Sequence, residues 1–349
     1  MIDPRSLVRP RRIRRGDVVA VVSLSWGGPG AYPHRYEAGV RQLQAAFGVT
    51  ARPAPNALRD PEWLARNPGA RADDLMWAFD DADVSAVISA IGGDDSIRVL
   101  PLIDVDVLRA NPKPFLGYSD ATITHMACLR GGLVSFYGPA IMAGFAENGG
   151  LHAYTLEGVR RVLFEPEEPL RWPENTDGWT AEFLDWDVAA NQERARSLRP
   201  SDGWRWHGRS AAEGPIVVGC VEVLDGLRGT PWWPDLTGAV LALETSEEQP
   251  PPAYVSRFLR SLAASDELRT LAAVLFARPG GADLAPDAHD AYDAAVLSVI
   301  TDEEGLADLP VVTRMDFGHT DPMWTIPIGA RVRVDPARSS VEFLTSGVT

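Results

Sequence analysis

The sequence predicts an α/β protein whose N-terminal part is a doubly wound, mainly parallel sheet. Between residues 17 and 132, short apolar runs alternate with helical patterns, which is typical of consecutive βαβ units. After residue 210, short apolar runs are separated by Gly and Pro, which indicates a second, more β-rich domain. The length of 349 residues is sufficient for two domains.

The N-terminal elements follow one another in a regular order. The apolar run "DVVAVVSLS" (17–25) predicts a buried strand, and "RYEAGVRQLQAAFG" (35–48) predicts a helix that stops at its glycine. The pattern then repeats, with strands in "VSAVISAIGG" (84–93) and "NPKPFLGYSD" (111–120) and a helix in "ATITHMACLRGG" (121–132). Active sites of such sheets gather at the carboxyl ends of the strands.

The remaining sequence divides into two further parts. Residues 1–165 form the predicted α/β domain, whereas residues 166–210 are polar, contain Pro and indicate a connecting segment or lid. Residues 211–349 form the predicted β-rich domain, with strands in "GPIVVGCVEVL", "AVLALET", "TLAAVLFARPGG" and "LPVVTRMDFGHT".

Charge and composition exclude several classes of function. The net charge of −15 is unfavourable for contact with phosphate backbones, so a nucleic-acid partner is not expected. The two cysteines, Cys128 and Cys220, fit neither a disulfide framework nor a zinc site, which favours a reducing cytoplasm and no metal or other cofactor. No signal-peptide core or membrane-spanning run is present, so we expect no membrane contact.

The stretch "FLGYSDATITH" (115–125) contains a candidate nucleophile. It places Ser119 at a sharp strand-to-helix turn, where many hydrolases expose a reactive hydroxyl. Ordinary turns also contain serine, so a base and an acid are needed elsewhere in the chain. His125 is a poor candidate base because six residues correspond to roughly 600° of helical rotation, which directs it away from the hydroxyl.

His319 and Glu244 are the candidate base and acid. His319 follows the apolar run "VVTRMDFG", and Glu244 ends "AVLALE", a run too apolar to hold a free charge without a partner. Spacing alone leaves open that these are unrelated loop residues. A backbone N–H group of "IGGDDS", where Gly92 and Gly93 allow close approach, and that of Asp120 are candidate oxyanion donors. The "GGDDS" stretch is also compatible with a tight turn or a phosphate cradle.

Several stretches of the sequence together resemble the serine LD-carboxypeptidase family, in particular its microcin C immunity branch. The similarity covers nearly the whole chain through "ISAIGGDDSIRVLP", "NPKPFLGYSDATITH", "GLVSFYGPA", "LRGTPWWPDLTGAVLALE" and "DFGHTDPMWTIPIGARVRVD". The resemblance assigns the nucleophile to Ser119, the acid to Glu244 and the base to His319, and it points to Gly93 and Asp120 as the oxyanion donors. It also implies a flavodoxin-like N-terminal domain, a β-rich, barrel-like C-terminal domain and a homodimer.

The family divides by substrate. The LD-carboxypeptidases remove a terminal D-alanine from cytoplasmic murein peptides, whereas the immunity branch cleaves an aminoacyl- or peptidyl-nucleotide toxin. Base stacking needs an aromatic face, and Trp186 in "FLDW" matches the branch's stacking tryptophan. For the other tryptophans of this region, packing of the linker remains the alternative.

Several positions depart from the family pattern and leave the specificity open. Cys220 stands in "VGCV", where the family usually has Asn, and "LFARPGG" offers Arg278 where the branch has an acid that contacts ribose. We assign both, with Asp94 of "GGDDS", to substrate binding; a surface charge is the alternative for Arg278. The stretch "ETSEEQPPP" adds acids where the branch tends to carry a base.

The sequence therefore predicts a serine peptidase that works through an acyl-enzyme. The preferred substrate class is an aminoacyl- or peptidyl-nucleotide antibiotic, and murein peptide recycling is the alternative. A non-catalytic protein that sequesters its ligand is a third hypothesis, of a different class.

Overall fold

The computed structural model describes residues 7–282, 284–285 and 288–349. Fourteen strands are present in these ranges: β1 Val18–Val22, β2 Thr50–Pro53, β3 Val84–Ser89, β4 Phe115–Gly117, β5 Ser135–Tyr137, β6 Leu170–Trp172, β7 Arg205–His207, β8 Ala212–Cys220, β9 Val240–Glu244, β10 Ala273–Ala277, β11 Val311–Met315, β12 Ile326–Ile328, β13 Arg331–Asp335 and β14 Ser340–Phe343.

Ten α-helices lie between and after these strands in the described ranges: α1 Gly28–Ala31, α2 Pro33–Phe47, α3 Pro61–Arg66, α4 Pro68–Asp80, α5 Val105–Ala110, α6 Thr122–Arg130, α7 Ala153–Val159, α8 Val221–Asp225, α9 Pro252–Ala264 and α10 Ala288–Leu297. The helix α2 ends where the sequence predicts, at Gly48, which adopts a left-handed conformation with φ 65°. None of the helices in the described ranges is both long and apolar enough to cross a membrane.

The first sheet has the strand order β12-β5-β4-β3-β1-β2. The strands β1 to β5 are parallel, and their order is that of a flavodoxin-like doubly wound sheet. Strand β12 adds an antiparallel edge next to β5. The predicted fold class of the N-terminal domain is therefore confirmed.

Alternate residues of β1 pack on opposite faces of this sheet. Val19 and Val21 belong to one apolar core, whereas Ala20 and Val22 belong to the other. A central strand buried on both faces has to be a continuous apolar run, which is why "VVAVV" lacks the alternation of a half-exposed strand.

The second sheet has the strand order β6-β14-β13-β8-β9-β10-β11-β7. Its middle strands β8 to β11 are parallel, and β13, β14, β6 and β7 pair antiparallel around them. The β-rich second domain is confirmed, but β6 and β7 are edge strands, so the sheet is open and does not form a closed barrel.

Three short strands join a sheet that is formed mainly by another part of the chain. Strands β6 and β7 come from the connecting segment 166–210 and form both edges of the second sheet, while β12 comes from the C-terminal part and joins the first sheet. Each apolar core takes side chains from both sheets. This shared packing brings the carboxyl ends of β4 and β9 to one cavity.

Candidate active site

The cavity at these strand ends has a volume of about 840 Å³. The segments that follow β1, β3, β4, β5, β8, β9, β10 and β11 line it, together with residues 181–186 of the connecting segment. Cavities of this size accommodate small-molecule ligands. The position agrees with the rule that ligands of α/β sheets bind outside the carboxyl ends of the strands.

Ser119 lies at the turn that the sequence predicts. It lies two residues after the end of β4 and opens a short 3₁₀ turn, Ser119–Ala121, that leads into α6. Its φ of 63° is unusual for a residue with a side chain. Strained backbone of this kind is concentrated at functional sites, and here it directs the Ser119 side chain into the cavity.

His319 and Glu244 complete a chain of hydrogen bonds to Ser119. Nε2 of His319 lies 3.1 Å from Oγ of Ser119, and Nδ1 lies 2.6 Å from Oε2 of Glu244. Glu244 is fully buried at the end of β9, and the His319 side chain is only 6% exposed. Such an arrangement allows Ser119 to attack a carbonyl while His319 accepts its proton and Glu244 orients the imidazole.

Tyr137 connects the acid to the nucleophile turn, a role that the sequence analysis missed. Its hydroxyl donates to Oε1 of Glu244 at 2.5 Å and accepts from the backbone N–H of Ser119 at 3.0 Å. Burial and the neighbouring Glu244 carboxylate raise the pKa of Tyr137 well above its ordinary value, so the hydroxyl remains protonated and keeps donating. Its position at the end of β5, next to β4, is the signal that could have identified it.

Gly92 brings its backbone against the nucleophile, and Gly93 packs against Ser25 and Trp26. A Cβ at Gly92 would lie 2.8 Å from Oγ of Ser119 and 3.5 Å from the amide nitrogen of Asp120, so a side chain cannot be accommodated there. The Asp120 carboxylate accepts from the backbone N–H of Ser96 at 2.8 Å, which ties the two loops together. The candidate oxyanion donors, Gly93 and Asp120, thus line the same cavity wall as Ser119.

Trp186 lines the cavity within an aromatic cluster. Its ring stacks on Trp26 with centroids 6.3 Å apart, and the ring of Tyr32 meets it edge-on at 5.7 Å. The guanidinium carbon of Arg35 lies 4.2 Å from the Trp186 ring centroid. Arg35 is buried and donates to the carbonyl of Met142 and the side chain of Asn148.

The other tryptophans of the connecting segment lie outside the cavity wall. Trp172, Trp179 and Trp204 are buried in the core, and Trp206 belongs to β7 and packs against it. Packing, the alternative interpretation of the sequence, therefore describes these four residues.

Two of the three candidate specificity residues line the cavity, and the third lies in the core. Asp94 and Cys220 line the cavity, and Sγ of Cys220 lies 3.3 Å from a carboxylate oxygen of Glu222. Arg278 does not line it, and it is not a surface charge either. Its side chain is fully buried and donates to Asp316 at 2.7 Å, so the assignment of Arg278 to substrate binding is not retained.

Glu247 makes a second contact to the candidate base that the sequence analysis missed. Its Oε2 lies 2.9 Å from Nε2 of His319, the same nitrogen that faces Ser119. The hydrogen bond lowers the pKa of Glu247 to about 2. Burial by itself lowers the pKa of His319, but Glu244 and Glu247 outweigh it and raise that pKa well above the ordinary value.

His125, the histidine nearest to Ser119 in the sequence, has a structural role. His125 is fully buried, with Nδ1 2.9 Å from Oγ of Ser135 and Nε2 2.9 Å from the carbonyl of Gly117. The second contact fixes the end of β4, two residues before Ser119. Among the residues that the structure describes, no three His, Cys, Asp or Glu side chains are grouped to hold a metal ion.

Residues 19–138 match the LD-carboxypeptidase N-terminal domain, and residues 213–334 match the LD-carboxypeptidase C-terminal domain. The chain therefore belongs to the LD-carboxypeptidase family and is a serine-type carboxypeptidase. The resemblance stated from the sequence is confirmed.

Individual relatives include proteins of the microcin immunity branch. The microcin C7 self-immunity protein MccF of Escherichia coli is 29% identical over 275 residues, which cover 76% of this chain and 75% of MccF. A relative from Streptomyces coelicolor that is named as a carboxypeptidase is 31% identical over 338 residues, covering 95% and 94% of the two chains. The structure of an MccF-like protein from Streptococcus pneumoniae in complex with AMP is 28% identical, with a TM-score of 0.82 over 94% of this chain and 98% of that one.

Proposed function

We propose that the chain hydrolyses an amide-type bond with Ser119 as nucleophile, His319 as base and Glu244 as orienting acid. The observation that carries this proposal is the continuous hydrogen-bonded chain from Oγ of Ser119 through His319 to Glu244. Its acid is buried and receives a second hydrogen bond from Tyr137, so it is fixed for that role.

The reaction proceeds in two halves. Oγ of Ser119 attacks the carbonyl carbon and gives its proton to Nε2 of His319, while the N–H groups of Gly93 and Asp120 hold the oxyanion. His319 then protonates the leaving nitrogen as the carbon–nitrogen bond breaks, which leaves an acyl-serine. In the second half, water attacks the acyl carbon, its proton passes through His319 back to Ser119, and a carboxylic acid is released.

The substrate is an aminoacyl- or peptidyl-nucleotide antibiotic, and the nucleotide is the leaving group. The aromatic cluster around Trp186 supports this choice, because each stacked base contributes roughly 1–3 kcal/mol. The immunity protein MccF and the AMP-bound MccF-like structure among the relatives support it as well. Membership of the LD-carboxypeptidase family supports a second candidate, the removal of D-alanine from a murein tetrapeptide that the resemblance implies. In either case we propose a cytoplasmic homodimer.

Hydrolysis of two substrates side by side tests this function. An aminoacyl sulfamoyl adenosine with an uncharged side chain, such as the norleucyl conjugate, has an amide-type bond between its acyl carbon and nitrogen, and a murein tetrapeptide has the alternative bond. We expect the wild type to cleave the nucleotide conjugate and Ser119→Ala to cleave neither. Cleavage of the tetrapeptide alone would assign the chain to cell-wall recycling. Cleavage of neither, together with tight binding of the conjugate, would favour a sequestering protein.

A further inference from the structure

The cavity around Ser119 has two chemically different ends. The aromatic end consists of Trp26, Tyr32 and Trp186, which contact one another. The acidic end consists of Glu222, Glu247 and Glu248, which come from α8 and from the loop after β9. The nucleophile and the candidate oxyanion donors line the cavity together with both groups. A substrate bound at Ser119 therefore has both an aromatic group and an acidic group to contact within the same cavity.

The two arginines of the cavity are paired with groups outside the acidic end. Within the described residues, the cationic side chains that line the cavity are Arg35, Arg196 and the imidazole of His319. Arg35 lies on the Trp186 ring, and Arg196 forms ion pairs with Glu147 and Asp321. The described part of the acidic end thus carries negative charge without a guanidinium or ammonium partner that could neutralise it.

Two of the acids have distinct roles at this end. Glu222 accepts from the backbone and the hydroxyl of Ser246 at 3.0 and 2.5 Å, so its carboxylate is held in place. Glu247 contacts Nε2 of His319, and its side chain is 72% exposed. An exposed carboxylate on a loop can turn to another partner, and that partner must be a donor or a cation.

The contact of Glu247 also competes with the chemistry. Nε2 of His319 must carry a proton to donate to Glu247, but it must present a lone pair to accept the proton of Ser119. The two contacts require different protonation states of Nε2, so His319 cannot make both at the same time. A ligand that draws Glu247 away would leave Nε2 free to act as the base.

We propose that Glu247 is a specificity-determining residue that selects substrates whose acyl group carries a cationic side chain, such as a lysyl or ornithyl group. The inference rests on the proposed function, in which the leaving nucleotide occupies the aromatic end and the acyl group faces the acidic end. The cationic side chain pairs with Glu247 and takes the place of His319 as its partner. A carboxylate side chain would instead face Glu222 and Glu247 and be rejected by like charge.

Sulfamoyl adenosines of lysine, norleucine and glutamate test this assignment because their unbranched side chains carry a positive charge, no charge and a negative charge, respectively. For the wild type we expect kcat/KM for the lysyl conjugate to exceed that for the norleucyl conjugate at least about tenfold, as for a hydrogen bond between charged groups. Glu247→Gln should abolish this preference, and Glu247→Lys should shift it toward the glutamyl conjugate. Glu248→Gln, the matched control at the neighbouring acid, should retain the lysyl preference.

Other outcomes would overturn the inference. If the wild type cleaves the norleucyl conjugate as well as the lysyl conjugate, or if Glu247→Gln keeps the preference, Glu247 does not select the substrate. An equal loss in Glu248→Gln would make the charge of the whole acidic end responsible instead. If no conjugate is cleaved while a fluorophosphonate still labels Ser119, the nucleotide function itself fails, and this inference fails with it.

Discussion

Replacing Tyr137 by phenylalanine removes one hydroxyl and two buried hydrogen bonds. Oε1 of Glu244 loses a donor at 2.5 Å, and the N–H of Ser119 loses its acceptor at 3.0 Å. A bond to a charged group contributes about 1.5–3 kcal/mol, and an unsatisfied buried amide costs about 1–3 kcal/mol. We therefore expect the free energy of unfolding to fall by about 3 kcal/mol or more, as measured by chemical denaturation.

The same substitution should change catalysis. Glu244 would be held only through His319, and a displacement of the base by about 1 Å costs up to about 100-fold in rate. We expect kcat to fall by about 10- to 100-fold. With one donor fewer, the negative charge of Glu244 stabilises the imidazolium more strongly, so the pKa of His319 rises. The acid limb of the kcat/KM profile should therefore move to higher pH.

Tyr154→Phe is a matched control for this experiment. The Tyr154 hydroxyl is also buried, donates to the carbonyl of Pro173 at 2.7 Å and accepts from Nε1 of Trp172 at 3.1 Å. Its loss should lower stability to a similar extent but leave the pH profile in place. A Tyr137→Phe enzyme with the kcat and pH profile of the wild type would refute the positioning role of this residue.

Three further predictions concern the site. Glu247→Gln removes a charge that raises the pKa of His319, so the acid limb of kcat/KM should move to lower pH; an unmoved limb would show that Glu247 does not affect the base. Trp186→Ala should lower kcat/KM for a nucleotide substrate about 10-fold or more through lost stacking, and an unchanged value would remove the nucleobase argument. Glu244→Gln should leave the circular dichroism spectrum unchanged but reduce kcat by roughly three to four orders of magnitude, whereas near-normal turnover would mean that another residue is the acid.

The positions of Ser119, Glu244 and His319 in or just beyond the ends of apolar strands made them candidates in the sequence, and the family resemblance assigned their roles. Such strands can be predicted locally, and parallel strands bring their carboxyl ends to one edge of the sheet. The strands β6 and β7 were not predicted, since three residues are too few for a periodic pattern. Their pairing is decided by packing in the second sheet.

Contacts between distant parts of the chain lay beyond sequence reasoning. Tyr137 and Glu244 are 107 residues apart, and nothing local in either strand indicates their hydrogen bond. Arg278 was assigned to substrate because it stands where the immunity branch has a ribose-contacting acid, yet Asp316, 38 residues further along, neutralises it inside the core. A charged residue at a strand end can thus face the site or the core, and only its partner decides which.

Labelling with a fluorophosphonate, followed by mass spectrometry of the intact protein and its peptides, tests the central claim most directly. The claim is that His319 and Glu244 activate Ser119 as a nucleophile. We expect one adduct per chain, located on Ser119, and labelling that is at least about 100-fold slower in His319→Ala and Glu244→Gln. An adduct on another residue, or equal labelling rates in the wild type and His319→Ala, would contradict it.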